Sequence, residues 1–530
     1  MADFTFSPLA PTAFLDRAAV VFSTRTAIVD SGESFSYAEF SDRSLRLADA
    51  LRGLGVGPGD RVASLCVNSH VMLELHNGVP YAGAVLVPMN TRLSVEELAY
   101  VVTHSGATVL IATSGLADRA RQVAEHTGVQ LVLDTGQDGE YELLLAAAQP
   151  YHRECEDERG LLAISYTSGT TGRPKGVMYH HRGAYLQSLA MAYHSQLTTG
   201  SRYLWTLPQF HCNGWCFTWA VTAAGATHVC VPSVDPAEVW RLIRTEGITH
   251  FSAAPTVLTM IANAPEASGA LPTHPISVGT GGAPPSPTLL ARMAALRMDV
   301  THLYGLTETF GPVAINQWQP DWDQLPDNEQ AELKARQGVG NVIAERLRIV
   351  DDTGADVPDD GQTLGRITCR GNDVMLGYYR DDAATQKVSA DGWLDSGDLG
   401  VRHPDGYIEV RDRAKDIIIS GGENIASVEI EHILDTHPGV LESAVVGRPD
   451  EVWGEIPIAF VTLRPMAEVG ALELIDFVRQ RLARFKAPKE IIFGVLPKTS
   501  TGKVQKNLLR SKAVESHVHA DVSGLGGAEV

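Results

Sequence analysis

The sequence predicts an α/β protein: a large N-terminal domain of layered, mainly parallel sheets covered by helices, a small β subdomain at its end, and a small α+β C-terminal domain. Three observations predict it. Helical and strand patterns alternate through the first 150 or so residues and again near residue 240, with short glycine turns between them, which is how a parallel sheet with helical crossovers reads. After residue 340 the texture changes to short strands punctuated by Gly, Pro and Asp. Beyond the charged run "RDRAKD" at 411–416, helix-plus-strand patterns start afresh. A chain of 530 residues also outgrows one hydrophobic core, so at least two domains are expected.

The elements follow in order. In "SYAEFSDRSLRLADALRGLGVGPGD", Ser36 with Glu39 three residues later is a capping box, an amphipathic run follows, and Gly55 stops it. "RVASLCV" is then a buried strand. The same succession recurs at "SVEELAYVVTHSG" with "ATVLIAT", and at "PAEVWRLIRTEG" with "ITHFSAAP". "GLLAISY" and "GVMYHH" read as two strands around residues 167–174. "RLRIVDDTGADVPDDGQTLGRITCRG" supplies the β subdomain, about 340–411. "ASVEIEHILDTHPGVLESAVVGRPD" and "ALELIDFVRQRLARFKAPKEIIFGV" each give a helix and a strand of the last domain, 412–530. The tail "HVHADVSGLGGAEV" lacks apolar periodicity and is expected to fray.

Composition narrows the function. Hydrophobic residues make up 44% and charged residues 20%, as in a globular enzyme. A formal net charge of -20 argues against a nucleic-acid partner. It leaves room for anionic ligands held by a local cation and backbone N–H groups. The six cysteines, Cys66, Cys155, Cys212, Cys216, Cys230 and Cys369, form no CxxC pair and read as reduced thiols of a cytoplasmic protein. The N-terminus has no signal-peptide pattern, and apolar runs such as "YAGAVLVPM" are too short to span a bilayer.

One stretch asks for chemistry. Residues 167–173, "TSGTTGR", are all Thr, Ser, Gly or Arg, followed by Pro174 and Lys175. Small residues between two strands let successive N–H groups converge on phosphate oxygens, and a lysine adds charge. The Walker spacing is absent, and a flexible turn would read the same way taken alone. Four further blocks accompany it: "HLYGLTETFGP" at 302–312, "GWLDSGDLG" at 392–400, "RDRAKDIIISGGENI" at 411–425 and "PKTSTGKVQK" at 497–506. In this order the five blocks resemble the adenylate-forming superfamily of acyl-CoA synthetases, peptide-synthetase adenylation domains and beetle luciferases. "PQFHCNGW" and "HPGVLESAVVGRPDEVWGE" are most similar to its short- and medium-chain fatty acyl-CoA ligases.

The resemblance implies the following. Thr167, Ser168, Gly169, Thr170, Thr171, Gly172 and Lys175 form a mobile loop that grips ATP phosphates. Glu308, with Thr167, holds Mg²⁺. Tyr304, Gly305 and Thr307 belong to the nucleotide site, with the Tyr304 ring offered to adenine and core packing as its alternative. Gly281, Gly282 and Ala283 ("GTGGAPP") let the base and the acyl chain approach the backbone. Asp398, rather than the neighbouring Asp395, accepts from the ribose hydroxyls, with Arg413 beside it. His211 stands where carboxylate and phosphate meet, and Trp215 and Gly281 line the acyl pocket. Lys503 is the catalytic lysine; Lys498 and Lys506 flank it. Lys415 is the hinge of a mobile lid domain, and Gly421 and Gly422 line a channel for coenzyme A.

An acid–CoA ligase using ATP, Mg²⁺ and coenzyme A is therefore expected. The alternative is an adenylating enzyme that hands its acyl group to a carrier protein or partner enzyme. A nucleotide-binding module without catalysis is disfavoured by the intact Lys503, Glu308 and loop. No Lys or Arg lies in the stretches 211–220, 252–257, 278–283 and 307–314, so an apolar acid is expected. A homodimer is an open assembly.

Overall fold

The computed structural model describes residues 5–167, 173–413, 416–420, 423–450, 453–499 and 503–524. Ser168, Gly169, Thr170, Thr171 and Gly172 of the expected phosphate loop, the hinge residue Lys415, and Gly421 and Gly422 of the channel lie outside the described residues.

The described residues form four sheets. The first has the order Gln130–Asp134, Ala107–Thr113, Arg61–Leu65, Val85–Pro88, Leu161–Thr167, Lys175–His180. Its neighbours are parallel except the last pair. The second has nine strands. Its parallel set runs Met298–Leu306, Ile276–Thr280, His250–Ala253, Arg202–Trp205, Thr227–Cys230, Thr26–Asp30, with antiparallel strands at both edges. Strands buried on both faces read as unbroken apolar runs, as "VLIA" at 109–112 does.

The two sheets share one core. Ile28, Tyr203 and Trp205 of the second and Val62, Leu86 and Leu162 of the first belong to a single buried cluster that includes helix His70–Tyr81. Residues 71–81 of that helix are all buried, the polar Glu74, His76 and Asn77 included. Its one carboxylate, Glu74, is fully buried. Arg43 Nε at 2.5 Å and Tyr141 OH at 2.6 Å donate to it, and Arg43 also reaches Glu142 at 2.6 Å. Such pairing is what a buried charge requires.

Local signals act as read. Ser36 with Glu39 caps helix Tyr37–Gly53, and Ser94 with Glu97 caps helix Val95–Ser105, each as a reciprocal box. A third, antiparallel sheet contains Arg348–Val350, Gly365–Cys369, Ser389–Ala390, Trp393–Arg402 and Ile408–Arg413. The fourth contains Ile418–Ser420, Glu423–Ile425, Val440–Asp450, Gly454–Leu463 and Glu490–Phe493. Helices Ser427–Asp435 and Ala471–Arg479 share its apolar cluster. One expectation is corrected: the tail from residue 517 is helical as far as Gly524. Leu509 and Ala513 anchor the start of that helix in the core, and no Gly or Pro interrupts it before Gly524.

Buried imidazoles give the fold an acid limit. Burial pushes His76, His181, His211 and His302 down to about 4 and His228 down to about 3. In the unfolded chain each titrates near about 6.5. The unfolded state therefore binds protons in this interval that the folded state refuses. This stability is full above about pH 6.5 and is lost as the pH falls toward 4. Asp373 and Asp435, which burial raises to about 7 and about 8, act in the opposite direction. So does His70, which burial lowers but the Asp30 carboxylate more than restores. The lowered imidazoles, joined by His180, His194 and His250, outnumber them. The urea midpoint should fall between pH 7 and pH 5; a constant or rising midpoint would contradict this balance.

Candidate active site

The site lies where strand ends from both large sheets meet. Thr167, at the end of Leu161–Thr167, is paired across strands with Lys175. Lys175 Nζ stands 4.8 Å over the Tyr378 ring, and Tyr378 OH donates to Glu308 Oε1 at 2.7 Å. Three expected residues, Thr167, Lys175 and Glu308, are thus connected through one that the sequence did not reveal. Tyr378 sits in an extended segment: Met375 N–H donates to the Glu308 carbonyl at 2.9 Å and Tyr379 N–H to that of Gly176 at 2.7 Å. These bonds and the bridge between Val177 and Tyr378 are all long-range, and local pattern carries no trace of them.

Among the described residues no group of three His, Cys, Asp or Glu could hold a metal. The Glu308 carboxylate and Thr167 hydroxyl are hard oxygen donors that suit Mg²⁺ when ligand phosphates complete the shell.

Asp398, expected at the ribose, lies directly opposite Arg413 in neighbouring strands. Arg413 Nε is 2.7 Å from Asp398 Oδ1, and Tyr304 OH donates to Oδ2 at 2.7 Å. Asp398 is buried, and Tyr304 packs with Val313, Ile349 and Ile367. Asp395 is occupied by Arg366 at 2.7 Å. Gly305 continues the strand from Tyr304, and the Thr307 carbonyl accepts from Tyr179 OH at 2.6 Å. Gly282, at φ 87°, and Ala283 are exposed after strand Ile276–Thr280.

The stretch expected to hold the acid is built on an unusual backbone. Cys212, Asn213, Gly214, Trp215 and Cys216 have φ of 47°, 46°, 62°, 53° and 62°. Five in succession make one turn of left-handed helix. Gly214 N–H closes it on the His211 carbonyl at 2.8 Å and Cys216 N–H on that of Asn213 at 3.2 Å. Left-handed helix costs L-residues roughly 1–2 kcal/mol each, with Gly and Asn the tolerant ones. Such strain persists where surroundings impose it. A Cβ on Gly214 would lie 2.7 Å from the Trp205 ring. The Trp215 side chain fits between two glycines: Cβ atoms on Gly281 and Gly311 would lie 3.0 Å from its Cη2 and 3.1 Å from its Cδ1.

His211 enters this turn as a neutral imidazole, since burial and then the nearby Lys503 charge push it down to about 4. The lysines therefore separate. Lys498 pairs with Glu442 at 2.6 Å, and Lys506 with Glu431 at 2.8 Å and Ser427 Oγ at 2.6 Å. Lys503 is the one whose charge is felt at His211. The Lys503 carbonyl accepts from Thr499 N–H at 2.7 Å, and the Lys503 N–H donates to Thr499 Oγ1 at 3.1 Å. The structure thus brings His211, Trp215 and Gly281 together, Tyr304 with Asp398 and Arg413, and Lys503 to His211.

Comparison with known proteins shows the family. Residues 15–379 match the AMP-binding enzyme family, and residues 429–503 match the AMP-binding enzyme C-terminal domain. An acetate/butyrate–CoA ligase of Arabidopsis thaliana, described as peroxisomal, is 43% identical over 96% of this chain and 95% of its own. A 4-hydroxybutyrate–CoA ligase of Metallosphaera sedula is 40% identical over 96% of this chain and 95% of its own. The crystal structure of ATP-bound MatB from Rhodopseudomonas palustris matches with a TM-score of 0.85 at 29% identity, covering 94% of this chain and 98% of that one. No helix among the described residues is long and apolar enough to cross a membrane. The chain belongs to the AMP-binding enzyme family, among its AMP-forming acyl-CoA synthetases.

Proposed function

We propose that the protein is a short-chain carboxylic acid–CoA ligase. A carboxylate oxygen attacks the α-phosphorus of ATP while the bond to the β-phosphate oxygen breaks, giving acyl-AMP and pyrophosphate. The thiol of coenzyme A, giving up its proton, then attacks the acyl carbon and AMP leaves. Two anions approach only where positive charge and N–H donors are aimed at them. In this reading Lys503 neutralises charge at the meeting point, neutral His211 donates an N–H to the carboxylate, and Lys175 faces the departing phosphates. Mg²⁺ bound by Glu308 and Thr167 would supply further charge neutralisation. Asp398, held by Tyr304 and Arg413, accepts from the ribose. Residues 168–172 complete the phosphate grip, the domain division falls near 411–412 with Lys415 as pivot, and Gly421 and Gly422 line the route of the thiol.

The observation that carries the choice of acid is Trp215, fitted between Gly281 and Gly311. An indole there occupies the space an acyl chain would need, and the wall holds no Lys or Arg to pair with a second carboxylate. The names of the relatives, acetate, butyrate and 4-hydroxybutyrate ligases, point the same way. The test is pyrophosphate release with acids from acetate to octanoate, with and without coenzyme A. Acetate, propionate or butyrate should be preferred, with sustained turnover and thioester only when coenzyme A is present. Adenylate without thioester would move the acceptor to a carrier protein or partner enzyme.

Replacing Trp215 should lengthen the accepted acid. Glycine is the suitable replacement, because φ is 53° there and any other residue keeps the strain. In Trp215→Gly, kcat/KM for hexanoate and octanoate should rise relative to butyrate by about tenfold, the scale of one or two methylenes in an apolar pocket. An unchanged order of preference would remove Trp215 from the acyl wall.

A further inference from the structure

The left-handed turn that carries Trp215 also reaches the other sheet. Asn213 is fully buried, and its Oδ1 accepts from Ser165 Oγ at 3.0 Å. Its carbonyl accepts from Thr218 Oγ1 at 3.2 Å as well as from Cys216 N–H. Its Nδ2 has no partner among the described residues. Ser165 is buried on strand Leu161–Thr167, two residues before Thr167, so the two side chains share one face. His211 precedes Asn213 by two residues and Trp215 follows it by two.

We propose that Asn213 is a positioning residue: its amide, bridged to Ser165, fixes the distance between the acid-holding turn and the strand that ends at the phosphates. The proposal rests on the adenylating reading given above. The acid wall belongs to the nine-stranded sheet and Thr167 to the six-stranded one, so the gap between carboxylate and α-phosphate is a gap between two sheets. Asn68 makes another cross-connection, donating to the carbonyls of Trp205 and Leu207 at 2.8 and 3.0 Å. It follows strand Arg61–Leu65, two strands away from Ser165. Asn213 stands at the phosphate strand itself. Asparagine suits the place twice: it tolerates a left-handed backbone, and its amide can bridge to a hydroxyl in either orientation. A buried donor left without a partner is unfavourable, so packing alone gives no reason for an amide there.

A double-mutant cycle tests this. Asn213→Gly removes the amide and keeps the left-handed backbone; Ser165→Ala removes the hydroxyl and leaves the turn alone. Each should lower the rate of acyl-AMP formation at saturating acid and ATP by about tenfold to a hundredfold, as misplacement of reactants does. KM for either substrate should change by less than about threefold. The double variant should be no slower than the slower single one, because both remove one bridge. Thiolysis of supplied acyl-AMP should stay at the wild-type rate, since carboxylate and phosphate are already joined in it. Losses that multiply in the double variant, or an unchanged adenylation rate in Ser165→Ala, would overturn the proposal. Thiolysis falling in parallel with adenylation and Tm would reduce Asn213 to a fold-holding residue. A wild-type enzyme that forms no adenylate from any acid would overturn the ligase reading itself, which the variants alone cannot do.

Discussion

Lys503→Ala should reduce acyl-adenylate formation by about a hundredfold to a thousandfold, the effect of removing one preorganised charge or donor from a developing anion. Thioester formation from supplied acyl-AMP should change by less than about threefold, a margin well below any single catalytic interaction. The reason lies in the neighbours. Lys498 is engaged by Glu442 and Lys506 by Glu431 and Ser427, so neither can take over the position. Single-turnover quenching, with adenylate and thioester measured separately, reads both halves. Equal losses in the two half-reactions, with the fold intact, would remove Lys503 from its assigned role. A secondary signature should accompany the loss. Lys503 helps to hold the His211 imidazole down, so its removal should let His211 titrate closer to its ordinary value, visible by NMR.

Gly305→Ala should be the most damaging single methyl group in the large domain. A Cβ there would lie 1.8 Å from the Gly311 carbonyl oxygen and 2.5 Å from its carbon. Both obstacles are backbone, so no rotamer relieves the clash. The strands Met298–Leu306 and Gly311–Ile315 already shift register between Tyr304 and Gly305, and the methyl group would force them apart. That displaces Tyr304 from Asp398 on one side and Glu308 from Tyr378 on the other. Overpacking a rigid core usually costs about 1–3 kcal/mol; with backbone on both sides, the upper end or beyond is expected. Urea denaturation and ATP calorimetry should show both stability and nucleotide affinity falling. A variant with wild-type midpoint and affinity would mean that these two strands yield more easily than their geometry implies.

The sequence was most legible where the physics is local. The capping boxes at Ser36 and Ser94 needed only three-residue spacing, and the apolar runs marked the parallel strands directly. Tyr304, Asp398 and Arg413 were singled out only through the family resemblance of their motifs, and the fold brings the three side chains together. What escaped depends on chain segments far apart. Tyr378 reaches Glu308 only because residues 375–379 run along the edge strand Lys175–His180. Arg43, Glu74 and Tyr141 read as ordinary charged and aromatic residues until helix His70–Tyr81 is enclosed between two sheets. The left-handed turn left two letters of warning, Asn213 and Gly214. Cys212, Trp215 and Cys216 are residues that no propensity places there. Its conformation is imposed by the Trp205, Gly281 and Gly311 contacts, which only the assembled fold supplies.

The order of strands in the nine-stranded sheet has a consequence for synthesis. Thr26–Asp30 pairs on one side with the adjacent hairpin strand Glu33–Ser36 and on the other with Thr227–Cys230. Between these partners in sequence the chain builds the entire six-stranded sheet. As the polypeptide leaves the ribosome, the first strand must wait nearly two hundred residues for its inner neighbour, presenting an open edge while the other sheet assembles beside it. Unpaired edges of this kind invite association with other chains. Nascent chains stalled near residue 200 should therefore be the species that holdase chaperones retain, and they should be released once His228 and Val229 have emerged to close the edge.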